Sequence, residues 1–271
     1  FGSDGRLYVA VGDNSTSSNA QTLANLLGKM LRINADGSVP ADNPFFAQAS
    51  GKNRAIWAMG LRNPFTFSVQ PGSTRMFIND VGQSTYEEIN DGAAGANYGW
   101  PNSEGPTSAS GYAGPLFYYG HGSSSTTGCA ITGGTFYNPA DVQFPPSYVG
   151  KYFFADYCNG WIRVLDPSNN TASDFATGVS AAIDFLTDDA GRLYYLARGT
   201  GAVMRIQSSS GQPPQITNHP QNTTVSVNQL ATFSVSASGS GTLTYQWQRE
   251  GIDIPGATAS IYSFTASLTD S

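Results

Sequence analysis

Short hydrophobic runs alternate with Gly- and Asp-containing turns along the chain, and one version of this pattern occurs four times. In each copy a turn leads into a strand in which Leu, Tyr, Phe and Val alternate with other residues, and the strand ends at Gly or Asp. The copies are DGRLYVAVGD from Asp4, STRMFINDVG from Ser73, GKYFFADYCNG from Gly150 and AGRLYYLARGTGAVMRI from Ala190. Such a pattern is typical of short β-strands, so the sequence predicts an all-β protein.

The spacing of the four copies predicts how the strands are grouped. Tyr8, Phe77, Phe153 and Tyr194 hold equivalent places, at separations of 69, 76 and 41 residues. A separation of about 40 to 50 residues is one propeller blade, and a longer one is a blade with an inserted loop. We therefore predict a β-propeller whose loops form a polar cup for ligands at one end. Because the first pattern starts inside a strand, we expect this propeller to be truncated on its N-terminal side.

The composition changes near Ser208, where SSSGQPPQ has the polar, proline-containing character of a linker. We predict a propeller over 1–207, a linker over 208–215 and a second domain over 216–271. In that domain Trp247 follows Val235 by twelve residues, the spacing between the first core cysteine and the core tryptophan of an immunoglobulin sandwich. The sequence therefore predicts a partial immunoglobulin-like β-sandwich after the linker.

Charge and hydropathy exclude two classes of partner. The formal net charge is −6 and the only lysines are Lys29, Lys52 and Lys151, so the basic surface that nucleic-acid binding requires is missing. No hydrophobic run approaches the roughly 20 residues that a transmembrane helix needs. We therefore expect neither nucleic-acid binding nor a membrane span.

The two cysteines, Cys129 and Cys158, are each flanked by glycine or small polar residues. We interpret them as a disulfide, with two buried free thiols as the alternative. A metal site is disfavoured because no further cysteine or suitably spaced histidine lies nearby. A disulfide is typical of oxidising compartments, so this interpretation favours a secreted, periplasmic or cell-surface protein.

Four ordered segments resemble the glucose/sorbosone dehydrogenase family, which includes the soluble quinoprotein glucose dehydrogenases. They are GKMLRINADGSVPADNPF from Gly28, AMGLRNP from Ala58, DVGQSTYEEIN from Asp80 and NYGWPNSEG from Asn97. The resemblance covers most of residues 1 to 207 and is weaker after Gly133. It implies a six-bladed β-propeller that oxidises an aldose-type sugar by hydride transfer to pyrroloquinoline quinone (PQQ). It further implies a Ca²⁺ ion and an external electron acceptor.

The resemblance also assigns residues to the cofactor site. The backbone carbonyls of Gly82 and Gln83 match those that hold the catalytic Ca²⁺, and an ordinary turn between strands is the alternative. Arg62 and Asn63 match the pair that contacts the cofactor. A guanidinium and an amide are suitable partners for quinone or carboxylate oxygens. The alternative for Arg62 is an ion pair with a buried acid between blades.

Further residues are assigned with open alternatives. Glu88 and Tyr98 match a second, structural Ca²⁺ site, or Glu88 and its neighbour Glu87 are solvated acids at a strand end. Asp13 matches the carboxylate that orients the catalytic histidine, or it is a strand-end turn residue. That histidine lies upstream of this chain in the family, so we expect the fragment itself to be inactive. His121 lies on a Gly/Ser-rich loop and is either a substrate or cofactor contact or polar surface.

One departure from the family favours a competing hypothesis. The soluble glucose dehydrogenases bind the cofactor carboxylates with a lysine and two arginines, at positions that fall near Cys158, Ala181 and Ile183 here. A trianionic quinone would lose these contacts, unless arginines such as Arg198 or Arg163 replace them. The competing hypothesis is a non-catalytic propeller that binds carbohydrate or protein in a secreted multidomain protein.

Overall fold

A computed structural model describes residues 1–208, 214–239 and 242–268. The chain divides into two compact units, Phe1–Gln207 and Ser208–Ser271. Residues 209–213, which make up most of the predicted linker, lie outside the described residues. In the described ranges no helix has both the length and the hydrophobicity needed to cross a membrane.

The first unit consists of four antiparallel sheets that follow one another along the chain. The first sheet contains β1 (Leu7–Val11), β2 (Lys29–Ile33) and β3 (Ile56–Met59). The second contains β4 (Pro64–Val69), β5 (Met76–Asp80), β6 (Tyr86–Asp91) and β7 (Phe117–Gly120). The third contains β8 (Ile131–Phe136), β9 (Tyr152–Asp156), β10 (Trp161–Asp166) and β11 (Thr171–Ala176). The fourth contains β12 (Ala182–Thr187), β13 (Leu193–Ala197) and β14 (Ala202–Ile206).

The predicted all-β class is confirmed, and the four sequence repeats fall into four different sheets. Tyr8 lies in β1, Phe77 in β5, Phe153 in β9 and Tyr194 in β13. Strands β4, β8 and β12, which open the last three sheets, pack against one another in succession. Aromatic side chains fill the space between the second and third sheets: Phe77, Phe136, Tyr152, Phe154 and Trp161. Each large buried side chain of this kind contributes about 2 kcal/mol to folding.

Successive antiparallel strands bring two sets of loops to one end of these sheets. The loops that enter β4, β8 and β12 lie beside the turns that leave β5, β9 and β13, because each first strand starts where the second ends. Contacts between sheets show that this end is shared, since the Ile131 N–H donates to Glu87 and the Arg62 carbonyl accepts from Asp13. We call this end, with the Asp13 turn after β1, the mouth.

An aspartate at the end of the second strand fastens the mouth in two sheets. Asp80 accepts the backbone N–H groups of Arg62 and Asn63, just before β4. Asp156 does the same for the two residues before β8, Cys129 and Ala130. In the third sheet the predicted disulfide, Cys129–Cys158, is present and joins the same loop and turn covalently. The residues before β4 and before β8 are therefore fixed by the end of the neighbouring strand.

The second unit is built from short strand pairs. β15 (Gln215–Asn218) pairs with β17 (Ser236–Ser238), β16 (Leu230–Ser234) with β20 (Ile261–Thr265), and β18 (Gln248–Arg249) with β19 (Ile252–Asp253). The Trp247 ring lies 6.0 Å from Tyr262 and 6.4 Å from Phe233, between ring centroids. Trp247 thus sits among aromatic side chains, and the immunoglobulin-like assignment stays a prediction.

Candidate functional site

Arg62 lies between β3 and β4 at the mouth, and its guanidinium points to the turn that contains Gly82. Its Nε donates to Gln83 Oε1 at 2.8 Å and its Nη1 donates to the Val81 carbonyl at 2.9 Å. The carbonyl of Asn63 accepts the Val81 N–H at 3.0 Å, which ties the same two segments by their backbones. The structure therefore brings the predicted cofactor pair and the predicted calcium turn together.

The alternative for Arg62 is an ion pair with a buried acid, and no such pair occurs among the described residues. Asp80 is buried beside it, but this carboxylate accepts the backbone N–H of Arg62 at 2.9 Å and not the guanidinium. Among the described residues no carboxylate lies within salt-bridge distance of the guanidinium. Arg62 therefore keeps an unneutralised positive charge at the mouth.

The turn after β5 is organised around one carboxylate oxygen of Glu104. This oxygen accepts the backbone N–H groups of four consecutive residues, at 2.7 to 3.4 Å: Gln83, Ser84, Thr85 and Tyr86. Partial burial acts to raise the pKa of Glu104, but these backbone donors outweigh it and the pKa is lowered. Glu104 therefore stays ionised and fixes the orientation of each peptide in the turn.

The same arrangement directs carbonyl oxygens away from Glu104. In a trans peptide the N–H and the preceding C=O point in opposite directions, so the N–H groups of Gln83 and Ser84 turn the carbonyls of Gly82 and Gln83 to the other side. No donor among the described residues bonds either oxygen. Two adjacent unpaired carbonyls are suitable ligands for Ca²⁺, which prefers oxygen at flexible geometry.

Asp13 lies at the same mouth, and its carboxylate has two partners. Oδ1 accepts the Ser15 N–H at 2.9 Å and Oδ2 accepts Trp100 Nε1–H at 2.9 Å, while the Asp13 N–H donates to the Arg62 carbonyl at 2.8 Å. The first bond is the turn contact that the alternative expected, and the second ties Asp13 to the site. The Arg62 guanidinium carbon lies 5.9 Å from the centre of the Trp100 ring.

Asp13, Arg62 and Asn63 line one open, polar pocket of about 450 Å³. Asn14 and Ser15 complete one wall in the left-handed backbone conformation, each with a φ of 57°. This conformation is uncommon for residues other than glycine and is enriched at functional sites. Three residues assigned from the sequence therefore share a cavity large enough for a small ligand.

His121 is joined to the same network through Glu87. Its Nε2 lies 2.7 Å from Glu87 Oε1, and the other carboxylate oxygen accepts the N–H groups of Gly82 at 3.3 Å and Ile131 at 2.8 Å. Glu87 is fully buried, and burial raises its pKa even though the contact with His121 opposes that rise. His121 is therefore an oriented, half-buried residue at the edge of the turn that contains Gly82.

The alternative that Glu87 and Glu88 are solvated acids is wrong. Glu87 is 0% exposed and Glu88 is 7% exposed, because β6 lies between β5 and β7 and its residues face packed layers on both sides. Burial raises the pKa of Glu88 to about 7, and burial followed by the charge of Glu88 raises that of Asp80 well above its usual range. The mouth thus rests on a layer of three buried acids.

The predicted second calcium pair is not joined by a contact in the structure. Glu88 accepts the Gly105 N–H and the Asn90 side-chain amide, whereas the Tyr98 hydroxyl bonds the backbone of Asp91 and Ala93. No hydrogen bond between Glu88 and Tyr98 occurs in the part of the chain described. However, Asn90 donates to Glu88 through its Nδ2, and its Oδ1 is buried with no partner there, which leaves one acceptor available to a cation.

Trp100 and Glu104 are site residues that the sequence does not predict, although both lie in the segment NYGWPNSEG. Their place within that segment is the only sequence feature that indicates them, because neither an indole nor a single glutamate shows by itself what it contacts.

The two arginines considered as replacements for the family's basic residues have different environments in the structure. Arg163 is neutralised by Asp174 at 3.0 Å, whereas the guanidinium of Arg198 donates to the Tyr157 hydroxyl at the mouth.

The fold is that of the glucose dehydrogenase β-propellers. A glucose dehydrogenase crystal structure superposes with a TM-score of 0.67 at 24% identity, covering 77% of this chain and 62% of that one. The apo form of the soluble aldose sugar dehydrogenase from Escherichia coli superposes with a TM-score of 0.63 at 27% identity, covering 74% and 60%. The glucose/sorbosone dehydrogenase family model matches residues 1–177, and the chain belongs to that family.

The sequence relatives include a plant protein and two bacterial dehydrogenases. The HIPL1 protein of Arabidopsis thaliana is 34% identical over 209 residues, or 63% of this chain and 30% of its own length. Aldose sugar dehydrogenase YliI of Escherichia coli K12 is 40% identical over 101 residues, or 37% and 27%. Quinoprotein glucose dehydrogenase B of Acinetobacter calcoaceticus is 32% identical over 132 residues, or 42% and 27%. The chain thus spans less than a third of each relative.

Proposed function

We propose that the protein is a PQQ- and Ca²⁺-dependent dehydrogenase that oxidises an aldose-type sugar and passes the electrons to an external acceptor. The observation that carries the proposal is the contact of the Arg62 guanidinium with Val81 and Gln83, on either side of Gly82. It sets a positive charge beside two unpaired carbonyls. We place the protein outside the cytoplasm as a six-bladed propeller, consistent with the disulfide.

The residues present fit a bound calcium ion and a flat anionic quinone. The carbonyls of Gly82 and Gln83 would hold the ion, and Arg62 and Asn63 would contact the quinone oxygens from the adjoining pocket. When bound, the cation and the quinone together supply an electrophilic carbonyl that accepts hydride from the sugar. A second calcium would bind Glu88 and the unpaired Asn90 oxygen, with Tyr98 nearby in sequence.

The chain's own residues act by binding and orientation. Arg62 is held on its backbone by Asp80 and on its side chain by Gln83, so its charge is positioned before the ligand arrives. Asp13 keeps acceptor capacity beyond its bonds to Ser15 and Trp100, and we assign it to orient the base that removes the sugar hydroxyl proton. His121, oriented by buried Glu87, would contact the sugar or the quinone at the rim.

Titration of the purified full-length protein with calcium and PQQ, followed by dye reduction with a panel of aldoses, tests this proposal. We expect PQQ to bind only with calcium and at least one aldose to drive dye reduction. The Arg62→Ala variant should lose about 100-fold in PQQ affinity, because a charge-assisted contact in a partly desolvated site is removed. A protein that binds carbohydrate but neither calcium nor PQQ would instead support the non-catalytic propeller.

A further inference from the structure

Arg198 is a second unneutralised cation at the mouth. It lies on the turn that leaves β13, and its backbone N–H donates to the Ala181 carbonyl at 3.0 Å, in the loop that enters β12. This hydrogen bond joins the loop that enters β12 to the turn that leaves β13. Asp80 and Asp156 join the corresponding loop and turn in the two preceding sheets. The Arg198 side chain is exposed, so it starts from a fixed backbone and reaches into solvent at the ligand end of the fold.

The guanidinium crosses from the fourth sheet to the third. Arg198 Nη1 donates to the Tyr157 hydroxyl at 2.6 Å, and its guanidinium carbon lies 5.9 Å from the centre of the Tyr157 ring. Tyr157 is itself fixed, because its N–H donates to Ala130 and the next residue forms the Cys129–Cys158 disulfide. The contact therefore presents the arginine from a rigid support between two sheets.

The positive charge of Arg198 is not neutralised by a carboxylate among the described residues. Four other arginines pair with carboxylates: Arg32, Arg75, Arg163 and Arg192. Across the described ranges, Arg198 has no carboxylate within salt-bridge distance, and its guanidinium makes a single hydrogen bond, to a neutral hydroxyl. A guanidinium has five N–H donors in a planar fork, so most of its donor capacity is open to an anion.

We infer that Arg198, positioned by Tyr157, binds a carboxylate of the anionic quinone at the mouth. The inference rests on the proposed function and adds to Arg62 a second cationic contact, supplied from the fourth sheet. Planar pairing of a guanidinium with a carboxylate gives both charge and direction, and the hydroxyl of Tyr157 holds the fork in place. The ligand class is therefore a quinone that carries carboxylates.

Equilibrium titration of PQQ in the presence of calcium, followed by tryptophan fluorescence, tests the inference without turnover. We expect Arg198→Gln to raise the PQQ dissociation constant about 10- to 30-fold and Tyr157→Phe to raise it about 3-fold. Arg192→Gln is the matched control. Arg192 is also exposed but pairs with Asp188 in the turn between β12 and β13, at the other end of the sheet, and its variant should bind like the wild type.

The trimethyl ester of PQQ, which has no carboxylate charge, separates charge recognition from general damage. We expect wild type and Arg198→Gln to bind the ester equally, and Arg198→Lys to recover part of the affinity for PQQ. Wild-type binding of PQQ with an unchanged constant in Arg198→Gln would overturn this inference and leave the proposed function standing. Failure of the wild type to bind PQQ with calcium would overturn both.

Discussion

The side chains of Arg62 and Gln83 meet at 2.8 Å, Nε to Oε1, although they belong to different loops. Arg62 lies in the loop before β4 and Gln83 lies in the turn after β5. The contact therefore joins the two segments that form the proposed ligand site. The glutamine side chain holds the arginine, while its main-chain carbonyl is a candidate calcium ligand. These two roles belong to different atoms and are therefore separable by substitution.

Gln83→Ala should separate them. The variant keeps the carbonyl, so we expect calcium affinity within about 2-fold of the wild type. It removes the bond that positions Arg62, so PQQ affinity should fall about 3- to 10-fold, in line with a hydrogen bond of about 1 kcal/mol. Calorimetric titration of each ligand measures both effects, with the exposed Gln48→Ala as control. A large loss of calcium affinity in Gln83→Ala would contradict the assignment of roles.

Glu104→Gln tests whether the four converging N–H groups shape the turn that is proposed to bind calcium. The amide keeps an acceptor oxygen but loses the charge, and hydrogen bonds to a charged group are worth about 1.5 to 3 kcal/mol. We expect calcium affinity to fall about 10-fold and Glu104→Ala to lose more. Asp36→Asn changes an acid whose bonds are local, to Ser38, and should leave affinity unchanged. Equal calcium affinity in all of these variants would show that Glu104 does not organise the turn.

The disulfide joins a loop and a turn at the mouth, and it should also stabilise the folded protein. Cys129 and Cys158 are 29 residues apart, and closing a loop of this length lowers the entropy of the unfolded chain by an amount worth about 3 to 4 kcal/mol. The double variant Cys129→Ser, Cys158→Ser should therefore unfold at a clearly lower temperature than the oxidised wild type. Reduced wild type should match the variant. Coincident melting curves for oxidised protein and variant would count against this estimate.

The buried side chain of Lys29 makes the stability of the fold depend on pH. Its side chain is 0% exposed, and its Nζ donates to the carbonyls of Asn19, Ala20 and Leu27 at 2.7, 2.9 and 2.7 Å. Burial lowers the pKa of Lys29 to about 8 from an ordinary value of 10.5. Between these values the unfolded chain binds the proton and the folded chain does not, so stability rises with pH across that window.

Lys29→Met should abolish this rise. The free energy of unfolding of the wild type, relative to the variant, is expected to increase by about 3 kcal/mol between pH 8 and 10.5. At pH 7 the variant should still be destabilised by about 2 to 4 kcal/mol, because it loses the three hydrogen bonds that the Lys29 ammonium donates to carbonyls. Urea unfolding at several pH values measures both quantities. A constant difference across the window would contradict the lowered pKa of Lys29.

The strands were predictable from the sequence because their hydrophobic pattern is local. Tyr8, Phe77, Phe153 and Tyr194 mark one strand in each of four sheets. The residue types at the mouth were predictable only through resemblance to the family. The contacts that join them were not, because the bond between Arg62 and Gln83 spans 21 residues and that between Asp13 and Trp100 spans 87.

Burial of the acids was also beyond the sequence pattern. Glu87 and Glu88 stand together in a strand, and adjacent acids ordinarily indicate exposure. They are buried because β6 is flanked on both sides by strands, and Glu87 bonds Ile131 in the next sheet and His121 in the loop after β7. Such burial depends on contacts between sheets, and local periodicity does not report these contacts.

A crystal structure of the protein with calcium and PQQ tests the central claim most directly. We predict an ion at about 2.3 to 2.6 Å from the carbonyl oxygens of both Gly82 and Gln83, with the Arg62 guanidinium in hydrogen-bonding contact with the quinone. An ion bound elsewhere, with these two carbonyls turned from it and Arg62 contacting only protein, would contradict the proposed site.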